Sequence, residues 1–188
     1  MRILRASDYK VMPWKNGGGE TTEIAVSPRD AGLADFDWRV SMAKVAGDGP
    51  FSAFPGIDRT LAILEGAGIV LSVEGAEPKQ LILETGPHAF PADVATSATL
   101  IGGTVIDFNV MSRRGKIDHE VERLAATKDS PAGSMRLVLS SRGILDITSN
   151  GKTEQLGLLD TALLEETENA ALTPGPDCQF YLVEFRPA

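Results

Sequence analysis

What this chain lacks narrows it before any motif is considered. Its one cysteine, Cys178, has no partner for an internal disulfide and, preceding an apolar stretch, reads as buried packing. Histidine is as scarce: His88 and His119 are the only two, far apart and without a His-x-His pair, so no dedicated metal centre is expected. Positive charge is short, with 18 Lys and Arg against 26 Asp and Glu, a net charge of −8 and a pI near 4.8. Neither a nucleic acid nor an anionic membrane surface suits such a balance. No apolar run approaches the roughly 18 residues of a membrane span, and the amino terminus carries no apolar leader. A cytoplasmic location is expected. Cofactor signatures are missing too: no G-x-G-x-x-G or Gly-Lys-Ser/Thr loop opens a helix, and no nucleophile elbow or Ser-His-Asp order occurs. No cofactor is expected.

What is present is punctuation. Nineteen Gly and 11 Pro recur at short intervals and separate short alternating apolar runs. Such runs every 8 to 12 residues or so, without βα alternation, predict an all-β antiparallel sandwich or barrel. The pattern predicts strands at 38–45, 58–64, 69–73, 80–84, 100–103 and 105–111, then at 116–123, 135–140, 144–149, 156–159, 161–165 and 179–185. Residues 85–91 read as a tight corner, and 1–12 are left unassigned. Asn150-Gly151 is a two-residue hairpin signal. Two β-barrel halves, 1–115 and 116–188, are expected to pack as one compact unit, since no Pro, Ser or charge-rich linker divides them.

The candidate binding residues cluster in the first half. Trp14-Lys15-Asn16-Gly17-Gly18-Gly19 joins a glycine turn, whose bare N–H groups could hold an anion, to two flanking donors. The same turn also reads as a plain chain reversal. The strand that follows places Thr21, Glu23 and Ala25 on one face and Thr22, Ile24 and Val26 on the other. Arg39, Ser41 and Ala43 alternate with Trp38, Val40 and Met42 and could line a cavity beside Thr21 and Glu23. A loop with Phe51, Ser52 and Phe54 leads to Arg59 at the mouth of the next strand, sharing a face with Leu61 and Ile63. Asp107 and Asn109 share one face of the strand at 105–111. Arg59 is the expected anchor for a carboxylate, because a guanidinium makes the paired bonds that an ammonium cannot. The other reading has its head paired with Asp58 or Glu84.

Four segments resemble the HutD/Ves family: Trp14-Lys15-Asn16-Gly17-Gly18-Gly19, Phe36-Asp37-Trp38-Arg39-Val40-Ser41, Gly49-Pro50-Phe51-Ser52-Ala53-Phe54-Pro55-Gly56-Ile57-Asp58-Arg59, and Asp107-Phe108-Asn109-Val110-Met111-Ser112-Arg113-Arg114-Gly115. The resemblance implies a bicupin fold of two jelly-roll halves and a link to histidine utilisation. It also implies a role in sensing or buffering an intermediate such as N-formylglutamate. The expected partner is thus a small anionic metabolite, with the second half serving packing and a homodimer left open. The alternative is a metal-independent cupin enzyme acting on a small organic acid, with Glu23 as general base and Lys15 or Arg39 as electrophile.

Overall fold

A computed structural model describes residues 1–14 and 17–188, and among these it contains strands and turns but no α-helix. In chain order the strands are β1 (Arg2–Leu4), β2 (Lys10–Pro13), β3 (Gly19–Ser27), β4 (Trp38–Val45), β5 (Gly49–Pro50), β6 (Ile57–Glu65), β7 (Ile69–Val73), β8 (Lys79–Leu81), β9 (His88–Pro91), β10 (Thr96–Leu100) and β11 (Val105–Arg113). They continue as β12 (Ile117–Leu124), β13 (Lys128–Ser130), β14 (Met135–Arg142), β15 (Leu145–Ser149), β16 (Lys152–Leu156), β17 (Thr161–Leu164), β18 (Ala170–Pro174) and β19 (Gln179–Pro187). No helix is long and apolar enough to cross a membrane among the described residues.

Two units divide the chain. The first in sequence, Lys10–Asp118, is built on a six-stranded sheet in the order β2-β3-β4-β11-β6-β9 and a four-stranded sheet in the order β5-β10-β7-β8. Ala43, Val45, Leu61, Ile63, Phe90 and Val105 of the large sheet meet Ile69, Leu71, Leu81 and Ala98 of the small one in a single buried cluster. Strand β4 explains the strength of the large sheet: every residue from Trp38 to Val45 except Lys44 is buried, so both of its faces are covered.

The other unit pairs Met1–Tyr9 with His119–Pro187. Its sheets run β1-β17-β14-β19-β12 and β13-β18-β15-β16. Val138, Ala162, Leu164, Phe180 and Leu182 from one sheet pack against Leu145, Ile147, Leu156, Ala170 and Leu172 from the other. Cys178 lies in the same core. At the tip of β15 and β16, Asn150 (φ 52) and Gly151 (φ 75) both take the left-handed conformation that a two-residue hairpin demands.

Several sequence expectations move. The boundary does not leave 1–115 together, because Arg2, Ile3 and Leu4 pair with Leu163, Ala162 and Thr161 and so join the other unit. The strand expected at 100–103 lies at Thr96–Leu100, where it pairs with β7, and Gly102 and Gly103 turn the chain after it. The strand expected at 80–84 stops at Leu81, since Thr85 Oγ1 ties off a turn on the Ile82 N–H (2.9 Å) and carbonyl (2.7 Å). The one expected at 156–159 ends at Leu156, because Asp160 accepts from the Gly157 N–H at 3.1 Å in a turn. Residues 88–91 are a strand, not a corner: His88 to Pro91 pair with Leu61 to Asp58. Within β3 a bulge between Glu23 and Ala25 shifts the alternation, which places Val26 opposite Arg39, on the same side as Glu23.

Candidate functional site

The inner face of the six-stranded sheet carries three cross-strand rows. In the first, Phe90, Arg59, Met111, Arg39 and Val26 follow one another across β9, β6, β11, β4 and β3. The second runs His88, Leu61, Asn109, Ser41, Glu23, and the third Ile63, Asp107, Ala43, Thr21. Period-2 alternation would normally put apolar side chains on this face. Instead it holds two arginines, two carboxylates, an amide and two hydroxyls among Leu61, Ile63 and Ala43.

Most of these polar groups are buried, Thr21 and Glu23 only partly, and they are largely committed. Arg39 is 5 % exposed, and its Nε–H donates to Glu23 Oε2 at 2.9 Å, with Ser41 Oγ 3.4 Å from Nη1. Asn109 Nδ2–H donates to Asp107 Oδ1. Of the buried side-chain atoms on this face, two have no partner among the described residues: Arg59 Nε and Asp107 Oδ2. Arg59 is 5 % exposed and Asp107 is 0 % exposed, so water does not freely satisfy either.

Arg59 sits in an aromatic cage. Its guanidinium carbon is 5.3 Å from the ring centres of Phe51 and Phe54 and 5.9 Å from that of Phe90. Met111 Sδ lies 3.3 Å from Nη2. Such a desolvated cation–π contact is worth on the order of 2 kcal/mol and leaves the cation short of hydrogen-bond acceptors. Burial lowers the Arg59 pKa to about 10, against the pull of Asp107, so the group stays charged at neutral pH. For Asp107 burial is also the largest influence and lifts the carboxyl to about 7, although Arg59, Asn109 and the Ala43 N–H all favour its ionised form.

The alternative partners for Arg59 fall away at Asp58, because that carboxylate belongs to Arg114. Arg114 Nη2 donates to Asp58 Oδ1 at 2.7 Å, and its Nη1 donates to Asp93 Oδ2 at 2.9 Å. Asp93 in turn accepts from the Gly56 N–H at 3.2 Å and is held down at about pH 2, first by the Arg114 bond. The clamp fixes the loop that carries Phe51 and Phe54. Arg113 fixes the facing loop by donating to the Phe36 carbonyl at 2.8 Å and that of Ala34 at 3.0 Å.

The structure places the sequence-derived candidates unevenly. Thr21, Glu23, Arg39, Ser41, Arg59, Asp107 and Asn109 share the inner face, and Phe51 and Phe54 cap it. Trp14 reaches it as well, its Nε1–H donating to Thr21 Oγ1 at 2.8 Å. Ser52 is exposed and stands apart. Lys15 and Asn16 lie outside the described residues. Gly17 closes the loop on itself, donating to the Trp14 carbonyl at 3.1 Å, and the Gly18 carbonyl accepts from Ala46 N–H at 3.0 Å. Gly19 has a packing reason: a Cβ there would come 2.2 Å from the Lys44 carbonyl. Phe90 and Met111 are the members that sequence reasoning missed. Met111 continues the alternation of Asp107 and Asn109, whereas Phe90 was hidden by the prolines at 87 and 91.

Other features compete less well. A cavity of about 600 Å³ opens on the other unit, lined by Met1, Ile3, Arg5, Ser149, Asn150, Lys152, Glu154 and Glu168. Its charges are already matched, Arg5 with Asp160 at 2.7 Å and Lys152 with Glu154 at 2.5 Å. The charged interior of the first unit is therefore the stronger candidate. No group of three or more His, Cys, Asp or Glu arranged for a metal ion occurs among the described residues.

The comparisons with known proteins agree with this architecture. An uncharacterised protein in the hutC 3′ region of Pseudomonas putida is 35% identical over 169 residues, 88% of this chain and 87% of that one. Protein Ves of Citrobacter koseri is 39% identical over 118 residues, 61% of this chain and 60% of its own. Among solved structures, a conserved protein of unknown function from Pseudomonas aeruginosa matches with a TM-score of 0.89 at 34% identity, covering 98% of this chain and 97% of that one. HutD from Pseudomonas fluorescens matches with a TM-score of 0.86 at 31% identity, covering 100% and 98%. Oxalate decarboxylase from Lactobacillus farciminis, at 9% identity and a TM-score of 0.66, shares the cupin-type fold alone. The HutD family model itself matches residues 6–181, across both units, and the chain belongs to the HutD family.

Proposed function

We propose that this protein binds a small carboxylate in the charged interior of its first unit, and senses or buffers an intermediate of histidine utilisation such as N-formylglutamate in the cytoplasm. The observation that carries this reading is Arg59: a buried, charged guanidinium, flanked by three phenylalanine rings, whose Nε–H has no partner among the described residues. A buried donor of that kind costs about 1–3 kcal/mol while unpaired, and an anionic oxygen is its natural complement. Glu23 supports binding over catalysis, because its carboxylate is spent on Arg39 at 2.9 Å and is poorly placed to take a substrate proton.

The histidine-utilisation assignment leans on the family and on the hutC-region relative. Thermal shift against a panel of small acids tests the reading. A ligand at about a hundred times its Kd stabilises the fold by about 2.7 kcal/mol, which raises the melting temperature visibly. N-Formylglutamate, urocanate and related carboxylates that all leave the melting temperature unmoved at millimolar concentration would contradict it.

A further inference from the structure

We propose that the acid enters this site as an anion together with one proton, and that the proton resides on Asp107 Oδ2, which then donates to the anion held by Arg59. This rests on the carboxylate-binding reading above and adds to it a second recognition group and a linkage.

Among the described residues the inner face receives Arg59 from β6, Arg39 from β4, Glu23 from β3 and Asp107 from β11, and exposed Lys10 of the edge strand β2 stands opposite Glu23. Arg39 and Glu23 neutralise each other at 2.9 Å. His88 on β9 lies beyond Leu61 in its row, only partly buried, with Lys79 Nζ of β8 3.1 Å from its Nδ1. The facing residues from β7 and β10, Ile69, Leu71 and Ala98, are apolar. Among the described residues, Arg59 and Asp107 are thus the one buried charge pair of this interior left uncommitted.

An anion bound to Arg59 consumes that cation. Asp107, with no exposure to water, would then be a second negative charge in the same dry space. Like charges so placed do not both persist; one site takes up a proton, and the two titrate as a pair. Asp107 is poised for this, since burial already holds it near pH 7 before any anion arrives. The position of the proton follows from Asn109: its Nδ2–H occupies Oδ1, so Oδ2 is the oxygen left to protonate. A protonated Oδ2 and the Arg59 Nε–H are then the two unspent donors of this sheet face, each available to an oxygen of the bound anion.

Calorimetric titration of the full chain with N-formylglutamate, urocanate and acetate, each in buffers of different ionisation heat from pH 6 to 9, tests this. For any of the three that binds, uptake should approach one proton per ligand at pH 8. Affinity should fall about tenfold per pH unit above 7, as one-proton linkage requires. Asp107→Asn, whose amide supplies a permanent donor where the acid needs a proton, should take up none and should bind at pH 9 at least about tenfold more tightly than the parent. Binding with no proton uptake and a flat pH profile would overturn the proton linkage and leave the carboxylate site standing. Failure of all three acids to bind would remove both. Should the Asn variant not fold, the buffer-heat comparison on the parent chain decides alone.

Discussion

Arg39 and Glu23 stand on adjacent strands, β4 and β3, and share a 2.9 Å bond from Nε to Oε2, with side-chain exposures of 6% and 25%. Each was a candidate for ligand chemistry from sequence, and the pairing makes them first a stabilising unit of the barrel wall. Removing one member strands the other. Glu23→Leu should therefore destabilise the fold by about 2–3 kcal/mol, somewhat less than a fully buried pair because Glu23 reaches solvent. Glu23→Leu combined with Arg39→Met should recover most of that loss, a non-additivity that urea unfolding of the double-mutant cycle measures.

The glycine run separates two roles. Gly19 has no room for a methyl group beside the Lys44 carbonyl, while Gly17, at φ 72, faces open space. Gly19→Ala should cost upwards of about 2 kcal/mol by prising β3 from β4, and Gly17→Ala only about 1 kcal/mol from its left-handed backbone. Denaturant midpoints of the two variants check the order.

Asp107 makes stability depend on pH in a defined direction. Its folded pKa, about 7, lies above the ordinary carboxylate value of about 4, so the folded state binds the proton more tightly than the unfolded one. Its contribution is fully present below about pH 4 and is lost as pH rises through 7. Asp107→Asn, neutral throughout, should remove that slope: stability of the unliganded variant relative to the parent should rise between pH 5 and pH 8 in matched urea titrations.

Arg114 acts on the site through the loop it holds. Without it, Asp93 loses its first stabilising bond and the Gly56 N–H loses the fixed acceptor 3.2 Å away. Arg114→Ala should speed hydrogen exchange at Gly56 well beyond exchange in β4 and β11. In the parent, protection of Gly56 relative to the amides of β4 and β11 should likewise fall on acidification from about pH 4 toward pH 2, as Asp93 protonates and the clamp opens.

Much of this was legible in the chain itself, for a reason that β4 and β11 make plain. Arg39-Val40-Ser41 and Asp107-Phe108-Asn109 alternate strictly, and a strict period of 2 assigns faces without further information. Arg39 with Ser41, and Asp107 with Asn109, therefore lie on the faces that the alternation assigns them. What could not be read were departures from that period and contacts distant in sequence. The bulge at Glu23 and Ala25 moves Val26 across the sheet with no glycine or proline to announce it. Phe90 joins the cage around Arg59 only because β9 pairs with β6 across some thirty residues, and Pro87 and Pro91 made that segment look like a turn. The bond between Arg114 and Asp93, and the passage of residues 2–4 into the other unit, are likewise tertiary facts that no local pattern encodes.

The most direct measurement is the affinity of N-formylglutamate for Arg59→Lys set beside the melting temperature of the unliganded variant. Lysine keeps the charge inside the phenylalanine cage but cannot present the paired N–H bonds of a guanidinium. Binding should weaken by about 1.5–3 kcal/mol, the worth of a charge-assisted bond, while the melting temperature stays within a few degrees of the parent. A variant that melts early yet retains full affinity would contradict the account, making Arg59 a structural residue and placing the anchor elsewhere.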